Sequence, residues 1–303
     1  MNSITAVILT FNESLHIKRC IDSIRTLTDD IVVVDSLSTD DTVQIARENG
    51  AMVLERAWEN NHSIQFNWAL ECLPKASQWI FRIDADEILT PDLVSEIKAA
   101  MVNLDSDING FSCRRHLVFQ GHLLRFGGMS NNRVLRLFRF GFGRSESRWM
   151  DEHIEVTGRV VPLSGAMVDD NLNPLTWWIA KHNNYASRAA VDALLRERML
   201  VDEAAALDHS PDHAMTWSMR MKELVYGLLP SGLRGITFFI YRYILRLGFL
   251  DGSTGYTFYF LQTWWYRNLI DAKVAEVRRY AQQHQVSVRQ AVEIILGIAL
   301  KGR

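Results

Sequence analysis

Four short apolar runs, each followed by a stretch of helical periodicity, restrict what the first third of this chain can fold into. Ile4 to Leu9, Ile31 to Val34, Met52 to Leu54 and Trp79 to Ile83 are rich in β-branched or aromatic residues and read as strands. Asn12 to Leu27 places Leu15, Ile17, Cys20, Ile21, Ile24 and Leu27 near one face of a helix. Thr39 or Asp40 can cap a second helix from Thr42 to Asn49, which Gly50 can close, and Ile64 to Leu73 reads as a third. A run such as Ile31-Val-Val-Val34 is apolar throughout rather than alternating, which favours a strand covered on both faces. Strand and helix alternate, so a parallel α/β sheet is the economical topology.

The pattern then changes. Thr90-Pro-Asp-Leu93 supplies an N-cap and an N1 proline for a helix running to about Asn103. Gly110 to Phe119, Gly121 to Phe126 and Arg133 to Phe140 look like strands and hairpins, so the second half of the sheet is expected to be mixed or antiparallel. Pro174 to about Ala206 reads as helical, and the chain beyond Asp212 as mostly helical. Its 303 residues, 48% of them hydrophobic, can bury a substantial core. The expected division is a domain over residues 1–215 and a helical region over 216–303. Met1-Asn-Ser-Ile-Thr-Ala lacks a basic n-region, so a cytoplasmic location is expected. Cys20, Cys72 and Cys113 give neither a disulfide framework nor a zinc spacing and are expected to be buried structural thiols.

Asp84-Ala-Asp86 is the first motif with chemical content. An Asp-x-Asp triplet is weak alone, and Asp105-Ser-Asp107 is a second instance in a polar segment that reads as a solvated loop. Position separates the two, because Asp84-Ala-Asp86 follows an apolar strand at the carboxyl edge of the expected sheet, where open α/β sheets place ligands. Residues i and i+2 of an extended segment project to one side, so both carboxylates can face one crevice. Hard cations such as Mg2+ or Mn2+ take carboxylate oxygens, waters and phosphates, and neutralise a diphosphate leaving group. The competing reading is a pair of loop or helix-capping aspartates before Thr90.

Several segments together resemble the family 2 inverting glycosyltransferases of the GT-A fold, and within them lipopolysaccharide-core β-glucosyltransferase-like and exopolysaccharide-assembly enzymes. Val7-Ile-Leu-Thr-Phe-Asn-Glu13, Ile31-Val-Val-Val-Asp-Ser-Leu-Ser-Thr-Asp-Asp-Thr42 and Phe81 to Leu89 are similar to that family's segments in order and spacing. The resemblance implies a GT-A, Rossmann-like mixed sheet flanked by helices, with a helical C-terminal extension. It implies a nucleotide-diphosphate sugar donor, expected to be a UDP-sugar. Thr10, Asn12 and Glu13 would lie beside the nucleotide, and Asp35 would bond the base or ribose. An Asx turn capping the next helix is the alternative for Asp35. Gln65 and Asn67 are similar to a polar pair next to the donor, and a solvent-facing helix surface explains them nearly as well.

Inversion needs a base that takes the acceptor hydroxyl's proton. Trp149-Met-Asp-Glu-His-Ile154 supplies Glu152, the first choice, and Asp151, the second; the family's acidic pair is written in a different order, and the choice stays open. A hydrolase metal cluster is the alternative there, without an H-E-x-x-H spacing to accompany it. The resemblance makes His182 a candidate for the metal or diphosphate, against an ordinary hydrogen-bonded helical histidine. Arg133 or Arg136 could face the phosphates, with surface pairing the alternative for at least one of them.

Charge is divided unevenly along the chain. From Trp217 onward there are 12 Lys/Arg against 5 Asp/Glu, which leaves 21 against 30 in residues 1–216. Gly235 to Leu250 carries Arg242 and Arg246 among aromatics, too short and too charged for a simple spanning helix, and Tyr256 to Ile270 adds Trp264 and Trp265. An interfacial surface meeting anionic lipid is expected, with a helical core or a subunit interface of a homo-oligomer as the alternative. The whole is read as a hexosyltransferase acting on a glycan or lipid-linked acceptor, peripheral on the inner face of the cell membrane, without a nucleic-acid partner. A catalytically silent, membrane-docked binding module of the same fold is the rival. A nucleotidyltransferase would need a glycine-rich loop after the first strand, which Thr10-Phe-Asn-Glu13 does not offer.

Overall fold

The computed structural model describes residues 3–59, 61–73, 77–102, 104–130, 132–146, 153–196 and 232–300. These form two compact units, Met1–Asn173 and Pro174–Arg303. The expected boundary at 215/216 lies outside the described residues.

In the first unit, β1 (Ile4–Thr10), β2 (Ile31–Asp35), β3 (Met52–Glu55) and β4 (Trp79–Asp84) pair in parallel in the order β3-β2-β1-β4. Beyond β4 the sheet is mixed. It continues through β8 (Arg133–Arg139), β6 (Ile108–Phe119), β11 (Arg159–Asp170) and β5 (Glu87–Leu89), with β7 (His122–Leu124) paired to β6. β8 is antiparallel to both β4 and β6, β11 is parallel to β6, and β5 is antiparallel to β11. β9 (Gly143–Ser145) and β10 (Ile154–Val156) form a separate antiparallel ribbon.

Helices α1 (Ile17–Arg25), α2 (Thr42–Glu48) and α4 (Pro91–Val102) share one core with Ala6, Ile8, Phe81 and Ile83, while α3 (His62–Cys72) packs on the other face against Val7, Val34, Ile80 and Phe138. Adjacent residues of one strand thus enter opposite cores, which is why these strands read as unbroken apolar runs. Complete burial of a Val, Ile or Phe side chain among these contributes about 1.5–3 kcal/mol.

The first helix starts at Ile17, five residues later than its periodicity suggests. Asn12 stands in the left-handed region at φ 55°, which a short amide side chain tolerates. The backbone N–H groups of Asn12, Glu13 and Ser14 donate to Ser38 Oγ (2.8 Å), Thr42 Oγ1 (2.8 Å) and Asp40 Oδ2 (3.1 Å). Two loops at the carboxyl edge of the sheet are thereby knitted together.

β5 and β11 carry no plain strand signal. Three residues are too few to show a period, and β11 contains Pro162 and Gly165 inside an irregular register between Pro162 and Ala166. Cys20 and Cys113 are buried as expected, but Cys72 is exposed on α3, a correction to the reading of all three as buried thiols.

In the second unit, α5 (Leu175–Arg196) packs on α8 (Tyr266–His284), which α9 (Val288–Leu296) also contacts. Ser287 caps α9 with a reciprocal Gln290 capping box. Gly235 to Leu250, expected as an interfacial helix, is broken into α6 (Leu233–Ile240), a π-turn over Tyr241–Leu245 and a 3-10 turn over Gly248–Asp251. α7 (Gly252–Tyr259) and a second π-turn, Phe260–Trp265, lead into α8. Among the described residues no helix is long and apolar enough to cross a membrane.

Candidate functional site

The strand register assembles the site. Thr10 lies opposite Asp35, and Leu9 opposite Asp84, so the carboxyl ends of β2, β1 and β4 stand side by side. Asp35 is fully buried; its Oδ2 accepts from Thr10 Oγ1 (2.8 Å) and Ser38 Oγ (2.6 Å), and its Oδ1 from the Ser38 N–H (2.6 Å). Asp35 thus closes a local turn onto Ser38 without capping α2, which starts at Thr42, and its carboxylate shapes the wall of this edge. Asn12 Oδ1 accepts from the Thr39 N–H (2.8 Å), and the Glu13 carboxylate meets His16 Nδ1 at 2.6 Å.

Asp84 and Asp86 have different surroundings. Arg136 Nη2 donates to Asp84 Oδ2 (2.9 Å) and to Glu87 Oε1 (2.6 Å), and Glu87 Oε2 accepts from the Asp84 N–H (3.0 Å). Arg82 lies 3.4 Å from Asp84 Oδ1. Burial raises the Asp84 carboxyl pKa, but Arg136 and Arg82 outweigh it and hold the group below the ordinary carboxylate range. Arg115 stands 3.8 Å from both Glu87 and Asp169, whose own carboxyl is pushed up by burial and by the charge of Asp86. Three guanidiniums thus face Asp84, Glu87 and Asp169. Asp86 is held instead by neutral groups: its Oδ2 accepts from Asn171 Nδ2 (2.9 Å) and its backbone carbonyl from the Asp170 N–H (3.0 Å).

Sequence reasoning missed Glu87 and Asn171. Glu87 is 1% exposed, and the signal available was its place one residue after Asp86. Asn171 follows the unread strand β11. Arg136, expected toward phosphates, is 4% exposed and turned onto the two carboxylates, whereas Arg133 donates to the Leu163 carbonyl (2.8 Å). Asn67 exchanges two 2.9 Å hydrogen bonds with the backbone of Ser145, pinning α3 to β9. Gln65 is buried rather than solvent-facing, with Nε2 3.4 Å from Ser36 Oγ and Oε1 unpartnered.

Asp151 and Glu152 lie outside the described residues. His182 belongs to the second unit, where it stacks on Trp178 (3.5 Å between centroids) and its Nδ1 bonds the Trp178 carbonyl at 2.9 Å. Burial lowers its pKa, against the pull of that carbonyl.

Residues 5–154 match the model of Glycosyl transferase family 2, a span that contains Thr10, Asp35, Asp84 and Asp86. The first unit is a family 2 glycosyltransferase domain. Its mixed sheet flanked by helices is GT-A-like, and a helical region follows it. The chain is similar to an uncharacterized glycosyltransferase of Rickettsia prowazekii (strain Madrid E), 29% identical over 217 residues that cover 66% of this chain and 71% of the relative. It is also similar to the SPbeta prophage-derived glycosyltransferase SunS of Bacillus subtilis (strain 168), 36% identical over 92 residues, 30% of this chain and 21% of that one. Among solved structures, glucosyl-3-phosphoglycerate synthase from Mycobacterium tuberculosis in complex with Mg2+ and uridine-diphosphate is similar at 25% identity with a TM-score of 0.33. That likeness covers 38% of this chain and 44% of the synthase, so the chain spans under half of that protein's length.

Proposed function

We propose that this glycosyltransferase moves a hexose from a nucleotide-diphosphate sugar, a UDP-sugar first among them, to a hydroxyl of a lipid-linked, lipopolysaccharide or exopolysaccharide glycan, with inversion. The observation that carries the reading is the convergence of Thr10, Asp35, Asp84 and Asp86 on the carboxyl edge of adjacent parallel strands within the family match.

The donor set suits a hard divalent cation, Mg2+ or Mn2+. Asp86 is bonded by a neutral amide rather than by a guanidinium, and a cation of this kind needs only one or two protein carboxylates when phosphates and waters supply the rest. Among the described residues no cluster of three His, Cys, Asp or Glu side chains is placed to hold a metal. Asp86 would hold the ion, with Asp84 beside it as a fixed anion. When bound, the ion would offset charge on the leaving diphosphate.

The chain's own residues do the rest. The knitted turns at Asn12, Glu13 and Ser38 give the nucleotide a rigid floor. Glu152 or Asp151 would take the acceptor's proton. For the second unit, the exposed Ile240, Ile244, Leu245, Leu250 and Tyr256, with Arg242 and Arg246 between them, support docking on an anionic membrane face. The reading is tested by a donor screen. Purified protein with Mn2+ is expected to bind and slowly hydrolyse at least one common UDP-, GDP- or dTDP-sugar, and inertness toward all of them would remove it.

A further inference from the structure

The segment from Asp170 to Asn173 is fastened by groups whose donor and acceptor roles the hydrogen bonds themselves decide. The Leu172 N–H donates to His16 Nε2 (2.8 Å), so that nitrogen carries a lone pair and the ring proton sits on Nδ1, facing Glu13 Oε2 at 2.6 Å. The Asn173 N–H donates to Asn171 Oδ1 (3.0 Å), which leaves Nδ2 as the group that faces Asp86. Arg19 Nη1 binds Asp170 Oδ2 (2.7 Å), and Arg19 Nη2 binds the Asp170 carbonyl as well. The ties from α1 therefore reach both neighbours of Asn171, and His16 is fully buried.

We infer that Asn171 is the positioning residue of Asp86, and that His16 and Arg19 hold it in place, joining the turn that carries Glu13 to the carboxylate that takes the metal. The inference rests on the reading of Asp86 as the metal ligand. Its physical basis is the contrast with Asp84. A guanidinium orients a carboxylate but cancels its charge, as Arg136 does for Asp84. An amide donor fixes the rotation of Asp86 about its terminal bond and leaves the negative charge intact. One oxygen, Oδ2, is engaged by Asn171, and the inference assigns the cation to the other, Oδ1. Partners that orient a metal ligand in this way are worth 10–100-fold in metal affinity.

The experiment measures Mn2+ binding to the full chain in the presence of UDP by the electron paramagnetic resonance signal of free Mn2+, with UDP binding in EDTA and thermal midpoint as controls. Asn171→Ala is expected to weaken Mn2+ binding by about 10–100-fold while its midpoint and its metal-free UDP affinity stay at wild-type values. His16→Leu, which strands the Leu172 N–H, is expected to reproduce the loss, and His16→Gln, whose Oε1 can accept that N–H, to recover most of it. Wild-type Mn2+ affinity in Asn171→Ala, with Asp86→Ala losing the metal, would overturn the inference and leave the metal reading standing. Undiminished Mn2+ binding by Asp86→Ala, or none by the wild type, would overturn the metal reading and the inference with it.

Discussion

Arg136 answers for more of the site's order than any other single side chain. It binds Asp84 and Glu87 at once, and Glu87 is 1% exposed with Arg136 its nearest cation. Arg136→Ala leaves that carboxylate buried without it, a change that costs about 3–5 kcal/mol. Urea unfolding should show a loss of that size, with Arg136→Lys recovering part of it; a loss below about 1 kcal/mol would mean that Arg115 and the Asp84 N–H suffice for Glu87. Asp84 adds a pH term of definite sign. Its folded pKa is lowered, so its contribution is present above its ordinary value of 3.8 and is lost as pH falls through the lowered value. At this scale the sequence exposes Asp84 and Asp86 through their place after an apolar strand. It conceals the difference between them, because Arg136 and Asn171 arrive from distant segments.

Between residues and fold lie the elements, and here the legible part and the hidden part divide cleanly. β1, β2 and β4 are readable because each is apolar on both faces, the requirement of a strand buried between helices, while the half-exposed edge strand β3 is readable only as a short apolar run. β11 is hidden by its own irregularity at Pro162 to Ala166, which has a structural use. Gly165 lets the strand approach α4, where an added Cβ would lie 2.6 Å from Leu93 Cα and 2.9 Å from Leu93 N. The Ser164 and Gly165 N–H groups donate to the Glu96 carboxylate of α4 at 2.8 and 2.7 Å. Gly165→Ala must displace helix backbone, and overpacking of this kind costs about 1–3 kcal/mol. Thermal unfolding should register it, and an unchanged midpoint would show that α4 yields freely. α1 starts later than its periodicity suggests because Asn12 stands at φ 55°, outside the right-handed helical region, and the polar side chains of the β2–α2 loop bond the N–H groups of residues 12–14 in that turn.

Over the whole molecule, charge sorts with the two units. Residues 1–173 carry 17 Lys/Arg against 24 Asp/Glu, and residues 174–303 carry 16 against 11. Leu245 is 68% exposed, and the α6–α7 region around it joins apolar side chains to Arg242 and Arg246. Flotation with phosphatidylglycerol vesicles should therefore carry the protein upward at low salt and release it progressively as salt screens the arginines; protein that stays at the bottom at low salt would contradict membrane docking. The acceptor leaves no comparable mark in the sequence, since recognising it depends on surfaces rather than on a motif. Metal-dependent transfer belongs to the first unit, and hydrolysis of the donor found in the screen, followed with Mn2+, with EDTA and with Asp86→Ala, tests it. Nucleotide diphosphate should be released by the wild type with Mn2+, and neither in EDTA nor by the variant. Equal release by Asp86→Ala and the wild type would contradict metal-dependent transfer.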